Sequence, residues 1–415
     1  MNTYWEKLSK QQINTRVFDA LRHNADFYHD EILGVPASHL DDKVFYQDAP
    51  FLRDAPFLTA LIHNPNHIGC HTLGGETEHF FKGTQAIERE LVGLCAEKIL
   101  SAAPGSCDGY IAAGGTEANL QAVWIYRNRF MRDQQIPAGD ICLLCSADSH
   151  YSVAKAANVF GIRLARVAVD DDTRAIQPET LDATLDVELA RGTRAFIVVA
   201  NMMTTMFGSV DQASVYTRAL KARELPFFLH VDGAYGGFFY PFTDARHELD
   251  FANPDVSSVT LDAHKMVQAP YGTGIFVARK GLMAYARTPE ASYVAGEDST
   301  LIGSRSGANA IAVWMILMTY GRFGWEEKIM VLQKRSQWLA DQLDRLGLRY
   351  FREPHANILT LRAEGIDPAI AERFGLVPDN HHQPRWYKVV VMDHVTIEKL
   401  LKLVRALEGA GVTTG

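Results

Sequence analysis

The segment PFFLHVDGAYGG (226–237) is a short apolar run that ends on an acid, Asp232, set among small residues. A continuous apolar stretch of this length, stopped by glycines, reads as a strand covered on both faces. Similar runs lie on either side: Asp108–Ala113, Ile141–Cys145, Ala195–Ala200, Val256–Leu261 and Gly274–Ala278. Stretches with helical periodicity, such as TQAIERELVGLCAEKIL (84–100) and TEANLQAVWIYRNRFM (116–131), fall between several of them. This alternation predicts an α/β chain with a mostly parallel sheet between helical layers. After Gly307 the pattern changes. Helices at Ala308–Tyr320 and Trp325–Leu346, strands at Asn357–Leu361 and Tyr387–Met392, and a helix at Thr396–Glu408 read as a smaller α+β unit. The expected division is an N-terminal arm (1–60) packing on a partner subunit, a large domain (61–322) and a small C-terminal domain (323–415). The hinge falls near Gly321–Gly324.

The chain has 415 residues, 47% hydrophobic and 22% charged, an ordinary globular balance that excludes a mostly disordered protein. Forty-one basic against 49 acidic residues give a net charge of −8, which disfavours electrostatic binding of nucleic acid. The run Ala308–Met318 is too short for a membrane span, and MNTYWEKLSKQQ lacks the pattern of a signal peptide. Five cysteines, an odd number in a long chain, do not form a disulfide framework. A soluble cytoplasmic protein with no membrane contact is the expectation.

In an open α/β sheet, ligands bind beyond the carboxyl ends of the strands. Each predicted strand here is followed by chemically able residues: Gly114-Gly115-Thr116, then Ser149-His150, Asn201 with Thr204-Thr205, Asp232, and Asp262-Ala263-His264-Lys265. Gly-Gly-Thr opening a helix is a seat for phosphate, although Thr116 would equally serve as a simple N-cap. A carboxylate at a buried strand end needs a cationic partner. A desolvated lysine makes a nucleophile for carbonyls. His150 taken alone reads as a structural histidine. Together, a phosphate seat, an acid, an imidazole and an amine match the needs of pyridoxal phosphate.

The motifs GGTEAN (114–119), DSHYSVAKAA (148–157), HVDGAYGG (230–237), DAHK (262–265) and GSRSGA (303–308) resemble those of the group II pyridoxal-phosphate-dependent amino-acid decarboxylases. The resemblance runs from about Gly69 to the C-terminus. It includes the short bacterial histidine decarboxylases and the archaeal tyrosine/aspartate decarboxylases, which VVVMDHVT (389–396) also resembles. It implies the fold type I transferase architecture and decarboxylation of an L-amino acid to an amine and CO2. It also implies a role for each matching residue. Lys265 would carry the Schiff base, Asp232 would pair with the ring nitrogen, and His150 and Ala234 would cover the two ring faces. Gly115, Thr116 and His264 would hold the phosphate, with Thr205 near the phenolic oxygen. Gly303 and Ser304 would reach the neighbouring subunit's phosphate, implying a homodimer with shared active sites. Tyr293 is the candidate proton donor to Cα, and His67 and His71 lie on the substrate-side loop.

Two positions depart from that pattern. Met203 stands where the family has glycine, and Lys388 stands where it has the arginine that meets the substrate carboxylate; either Lys388 does that work as a point charge or the nearby Arg385 takes it over. The rival enzyme is a carbon–carbon lyase of the sphingosine-phosphate type. A nicotinamide dehydrogenase is disfavoured because no GxGxxG opens a helix after the first strand. No metal site is expected. His63, His67 and His71 are four apart, but Pro65 and Gly69 break the helix that would align them. Cys142 and Cys145, three apart on a strand, face opposite sides. The substrate side chain is not legible.

Overall fold

The computed structural model describes residues 31, 33–34, 43–44, 57, 60, 65–74, 81–288 and 297–410. In chain order, β1 (Asn66–Ile68) and α1 (Lys82–Leu94) lead to β2 (Cys107–Ala112) and α2 (Gly115–Asp133). Then come β3 (Ile141–Ser146), α3 (Tyr151–Phe160), β4 (Arg163–Val167), α4 (Pro178–Ala190), β5 (Ala195–Asn201) and α5 (Ala213–Ala222). Strands β6 (Phe227–Gly233), β7 (Val256–Asp262) and β8 (Gly274–Arg279) complete the main sheet. β9 (Ser304–Ser306) and the long α6 (Gly307–Arg345) precede a second unit. It comprises β10 (Tyr350–Phe351), β11 (Ile358–Arg362), α7 (Pro368–Arg373), β12 (Val377–Pro378), β13 (Trp386–Val390) and α8 (Ile397–Gly409).

The main sheet has the order β2-β8-β7-β6-β5-β3-β4. Its pairs are parallel from β7 through to β4, while β8 runs antiparallel to both β2 and β7. Six strands therefore point one way and β8 the other. The continuously apolar strands bury both faces, as expected for a sheet between helical layers. Cys142 packs in the core on one face and Cys145 in the core on the other. The second unit has an antiparallel sheet, β10-β11-β13-β12, with its own core of residues such as Leu339, Leu359, Val389 and Leu403. The segment read as two helices, here labelled α6 throughout, is two helical stretches separated at Gly321, whose φ of 60° and ψ of 179° are non-helical. An ionic cluster joins the two units. Asp171 meets Arg362 and Arg385, and Asp172 meets Arg349 and Arg362.

Of the arm read over 1–60, only scattered residues are described, and these pack on their own chain. Leu33 is fully buried in the small unit's core. Its N–H donates to the Phe374 carbonyl at 3.0 Å, and its carbonyl accepts from Val390 N–H at 2.8 Å. Leu33 thus bridges the end of α7 and the end of β13 in its own chain.

The expected substrate-side pair, His67 and His71, is buried elsewhere. β1 pairs antiparallel with β9, opposing His67 to Arg305. His67 Nδ1 lies 2.6 Å from Glu88 Oε2, and His71 Nε2 lies 3.4 Å from the same oxygen. Arg305 Nη1 meets Glu88 Oε1 at 2.5 Å, and Ile111 N–H donates to that oxygen at 2.8 Å. Glu88, His67 and His71 do present their ligand atoms to one another. A strand and a turn bring them together, so helical spacing was the wrong test, and Arg305 already neutralises the carboxylate. Burial opposes ionisation of Glu88, but Arg305 and His67 overrule it and hold the carboxyl well below the usual range. Removing one partner of a buried ion pair leaves an uncompensated charge and costs about 3–5 kcal/mol. Glu88→Ala is therefore expected to lower unfolding stability by about that amount, measured as the urea midpoint shift. A loss below about 1 kcal/mol would contradict this role.

Candidate active site

The carboxyl ends of β2, β3, β5, β6 and β7 meet at one edge of the main sheet, together with the start of the opposed β8. A cavity of about 640 Å³ opens there. Its wall includes Gly115, Thr116, His150, Asp232, His264 and Lys265. Four of these strand ends, those of β2, β3, β6 and β7, thus deliver residues to the wall, as the parallel-sheet reading requires.

The floor begins at the turn from β2 into α2. Gly114 has φ 152°, a backbone region that side chains rarely adopt. Helix α2 then starts at Gly115 with no side-chain cap, so Thr116 is not the N-cap but the second helical residue. Glu117 reaches back to accept the Ala113 N–H at 2.6 Å. The remaining first-turn N–H groups have no intrahelical partners and point, with the helix dipole, at the cavity. A Cβ on Gly115 would stand 2.7 Å from Asp262 Oδ2, so the close approach admits no larger residue.

Asp232 ends β6 with 7% of its surface exposed. Its Oδ2 accepts from Asn119 Nδ2 at 2.8 Å and its Oδ1 from Ala234 N–H at 3.1 Å. Ala234 lines the cavity beside it. His150 is the N-cap of α3, its Nδ1 accepting the Ser152 N–H at 3.3 Å. The structural role and the cavity-lining role of this histidine coincide. Burial lowers its basicity, with Asp232 pulling the other way.

Beyond β7, Asp262 gathers the basic groups. Its Oδ2 is 3.2 Å from Lys265 Nζ and 3.6 Å from His264 Nε2. The Lys265 side chain is a quarter exposed, so an ion pair rather than desolvation holds the amine in place. His264 Nδ1 is buried without a hydrogen-bond partner, beside the Gly114 turn. Lys388, on β13, is buried and donates to the Thr205 carbonyl at 3.0 Å. Burial, and then the Lys265 charge, push its ammonium down to about 8. The small unit thus brings a cation toward Lys265.

Other expected site residues lie away from the cavity wall. Thr205 is exposed, and its backbone rather than its side chain is engaged, by Lys388. Arg385 is exposed and drawn to Asp171 at 2.7 Å. Gly303 and Ser304 lie at β9, where Ser304 Oγ accepts from Asn66 Nδ2 at 3.3 Å, while the neighbouring Leu301 and Ile302 do line the cavity. Tyr293 and His63 fall outside the described residues. Met203 is buried and has φ 68°, a conformation in which glycine is at ease. The backbone shape needed at that turn is kept although the residue is not glycine. Sequence reading missed Asn119, Ser152 and Asp262 as working parts. All three belong to quoted motifs, but an amide, a hydroxyl and an acid at a strand end carry no distinctive spacing.

The donor set fits pyridoxal phosphate. The orphaned His264 Nδ1 and the glycine cradle at a helix start suit a phosphate. Asp232 suits a protonated ring nitrogen, and Lys265 suits the aldehyde.

Comparison with known proteins agrees. Residues 86–352 match the pyridoxal-dependent decarboxylase conserved domain. The chain is 44% identical over 402 residues to the tryptophan decarboxylase of Clostridium sporogenes, covering 97% of this chain and 96% of that protein. It is 33% identical over 323 residues to a probable L-tyrosine/L-aspartate decarboxylase of Methanocella arvoryzae, covering 77% and 81%. In fold it matches the L-methionine decarboxylase of Streptomyces, with TM-score 0.78, 21% identity and coverage of 98% and 96%. It matches the sphingosine-1-phosphate lyase of Burkholderia pseudomallei equally well, with TM-score 0.78, 17% identity and coverage of 99% and 92%. These two likenesses show the fold type I architecture and do not separate decarboxylase from lyase; the sequence matches do. The chain belongs to the pyridoxal-dependent decarboxylase family, and it is a pyridoxal-phosphate-dependent amino-acid decarboxylase.

Proposed function

We propose that this decarboxylase acts on an aromatic L-amino acid, tryptophan foremost, as a homodimer with shared active sites. The observation that carries the substrate assignment is the 44% identity to a tryptophan decarboxylase along almost the whole chain. An apolar side of the cavity, formed by Leu120, Tyr271, Leu301 and Ile302, supports it. Burying an aromatic side chain against such a wall contributes several kcal/mol, on the order of 25 cal/mol per Å². Tyr151 and Tyr271 are 64% and 68% exposed beside the cavity, and exposed aromatic surface of the kind a second subunit would cover supports the dimer.

When bound, pyridoxal phosphate supplies the electron-accepting ring that makes loss of CO2 from Cα feasible. Gly115 and Thr116 backbone N–H groups and His264 hold the phosphate. Asp232 keeps a proton on the ring nitrogen, an electrostatic role whose removal raises barriers by a few kcal/mol in comparable sites, about 3–4. His150 and Ala234 would cover the two faces of the ring, and Lys265 would supply the amine that holds the aldehyde. Lys388, not the surface-bound Arg385, meets the substrate carboxylate as a point charge. Gly303 and Ser304 would serve the neighbouring subunit's phosphate, and Tyr293 would supply the proton for Cα.

Release of CO2 across a panel of L-amino acids tests the substrate. The expected result is tryptophan turned over at least about tenfold more efficiently than histidine, aspartate or glutamate, a gap of about 1.4 kcal/mol. Preference for an acidic substrate would contradict the assignment. Lys388→Met should raise KM at least about tenfold with a smaller change in kcat, as loss of a charge-assisted contact does. The contact needs the ammonium, whose pKa is lowered to about 8 in the free protein. Wild-type kcat/KM should therefore fall as pH rises through about 8, and Lys388→Met should lack that limb. Gly115→Ala crowds the cradle at Asp262 and should weaken cofactor binding at least about tenfold by fluorescence titration.

A further inference from the structure

Asn119 lies on α2 at the cavity wall, and two groups assigned to the cofactor depend on it. Its Nδ2 lies 2.8 Å from Asp232 Oδ2 and 2.9 Å from Ser152 Oγ. Its Oδ1 lies 2.9 Å from His230 Nε2. Exchanging the amide oxygen and nitrogen would aim a carbonyl at a carboxylate, so the amide orientation is decided by Asp232.

Counting protons outward from this amide leaves one consistent arrangement. Asn119 Oδ1 can only accept, so His230 carries its proton on Nε2. His230 is fully buried, and burial pushes its pKa down to about 4, which keeps the ring neutral. Its Nδ1 therefore accepts from the Ser258 hydroxyl at 2.7 Å, and Ser258, its proton used, accepts from Tyr126. On the other side, Ser152 Oγ receives an Asn119 N–H and passes its own proton to His150 Nδ1 at 2.9 Å. The Ser152 backbone N–H reaches the same nitrogen. His150 Nδ1 thus has two donors, and the neutral ring holds its proton on Nε2.

We propose that Asn119 is a positioning residue: one amide aims the Asp232 carboxylate and, through Ser152, holds His150 in the Nε2–H tautomer. This rests on the reading of Asp232 and His150 as cofactor contacts. It adds that their orientation and proton placement come from a single residue in the GGTEAN motif, which reaches both from one helix face.

The test uses the holoenzyme labelled with 15N-histidine, with the His150 signals assigned from the His150→Gln spectrum, alongside cofactor titration. Wild type should show His150 with a protonated Nε2 and an unprotonated Nδ1. A protonated Nδ1 with a bare Nε2 overturns the proposal and needs no variant of Asn119. Asn119→Ala should raise the cofactor Kd about 10- to 100-fold, the effect of losing a hydrogen bond to a charged group. Asn119→Asp turns the donor into an acceptor. It should weaken the cofactor at least as much and shift the His150 signals from the wild-type pattern. An Asp variant with Kd within about threefold of wild type and an unchanged His150 spectrum overturns the proposal. Failure of wild type itself to bind the cofactor would instead remove the functional reading beneath it.

Discussion

A carboxylate that ends a central strand with almost no access to water must be met by donors, or the strand cannot sit there. Asp232 is that group, and much of the architecture around the cavity answers to it. His230 and Asp232 are two apart on β6 and share a face of the sheet. Helix α2 covers that face and offers one amide to both. The same helix begins at Gly115, so the residues that stabilise the buried acid and those that shape an anion seat are fixed to one rigid element. Gly115 and Asn119 are about one turn apart at the start of that helix, so a cofactor with a cationic ring nitrogen and an anionic phosphate would be served from one helix end. Charge burial, an expense in folding, becomes preorganised electrostatics.

Much of the main sheet was legible because its strands are buried on both faces and read as unbroken apolar runs. Strand ends fell within one or two residues of the structure. Strand β4, with the sequence RLARV, escaped because it is half-exposed at the sheet edge and carries two arginines. The β1–β9 pair escaped because polar triplets, NHI and SRS, reveal no pattern until a partner 238 positions away is known. In the site, groups with distinctive chemistry were found: Lys265, His264, Asp232, His150 and the glycines. Residues whose function is to hold those groups were not. Asn119 and Ser152 are ordinary core polar residues until the distances to Asp232 and His150 are seen. Arg385 and Lys388 are three apart, and only tertiary contacts tell that one answers a surface acid while the other is drawn inward.

The departures from the family pattern have physical consequences. Met203 occupies left-handed backbone at a cost of about 1–2 kcal/mol. Its buried side chain, packed in the main core, offsets that cost. Lys388 brings a compact charge on a flexible stem in place of a planar fork, so it would hold a carboxylate without dictating its angle. Its proximity to Lys265 lowers the proton affinity of one amine through the other.

The account stands on Lys265 as the amine that bears the cofactor. Reduction of the holoenzyme with borohydride followed by peptide mapping tests this most directly. The predicted result is a phosphopyridoxyl group on Lys265 in wild type and none in Lys265→Ala. A modification found on any other lysine, or a purified protein that takes up no pyridoxal phosphate at all, would contradict it.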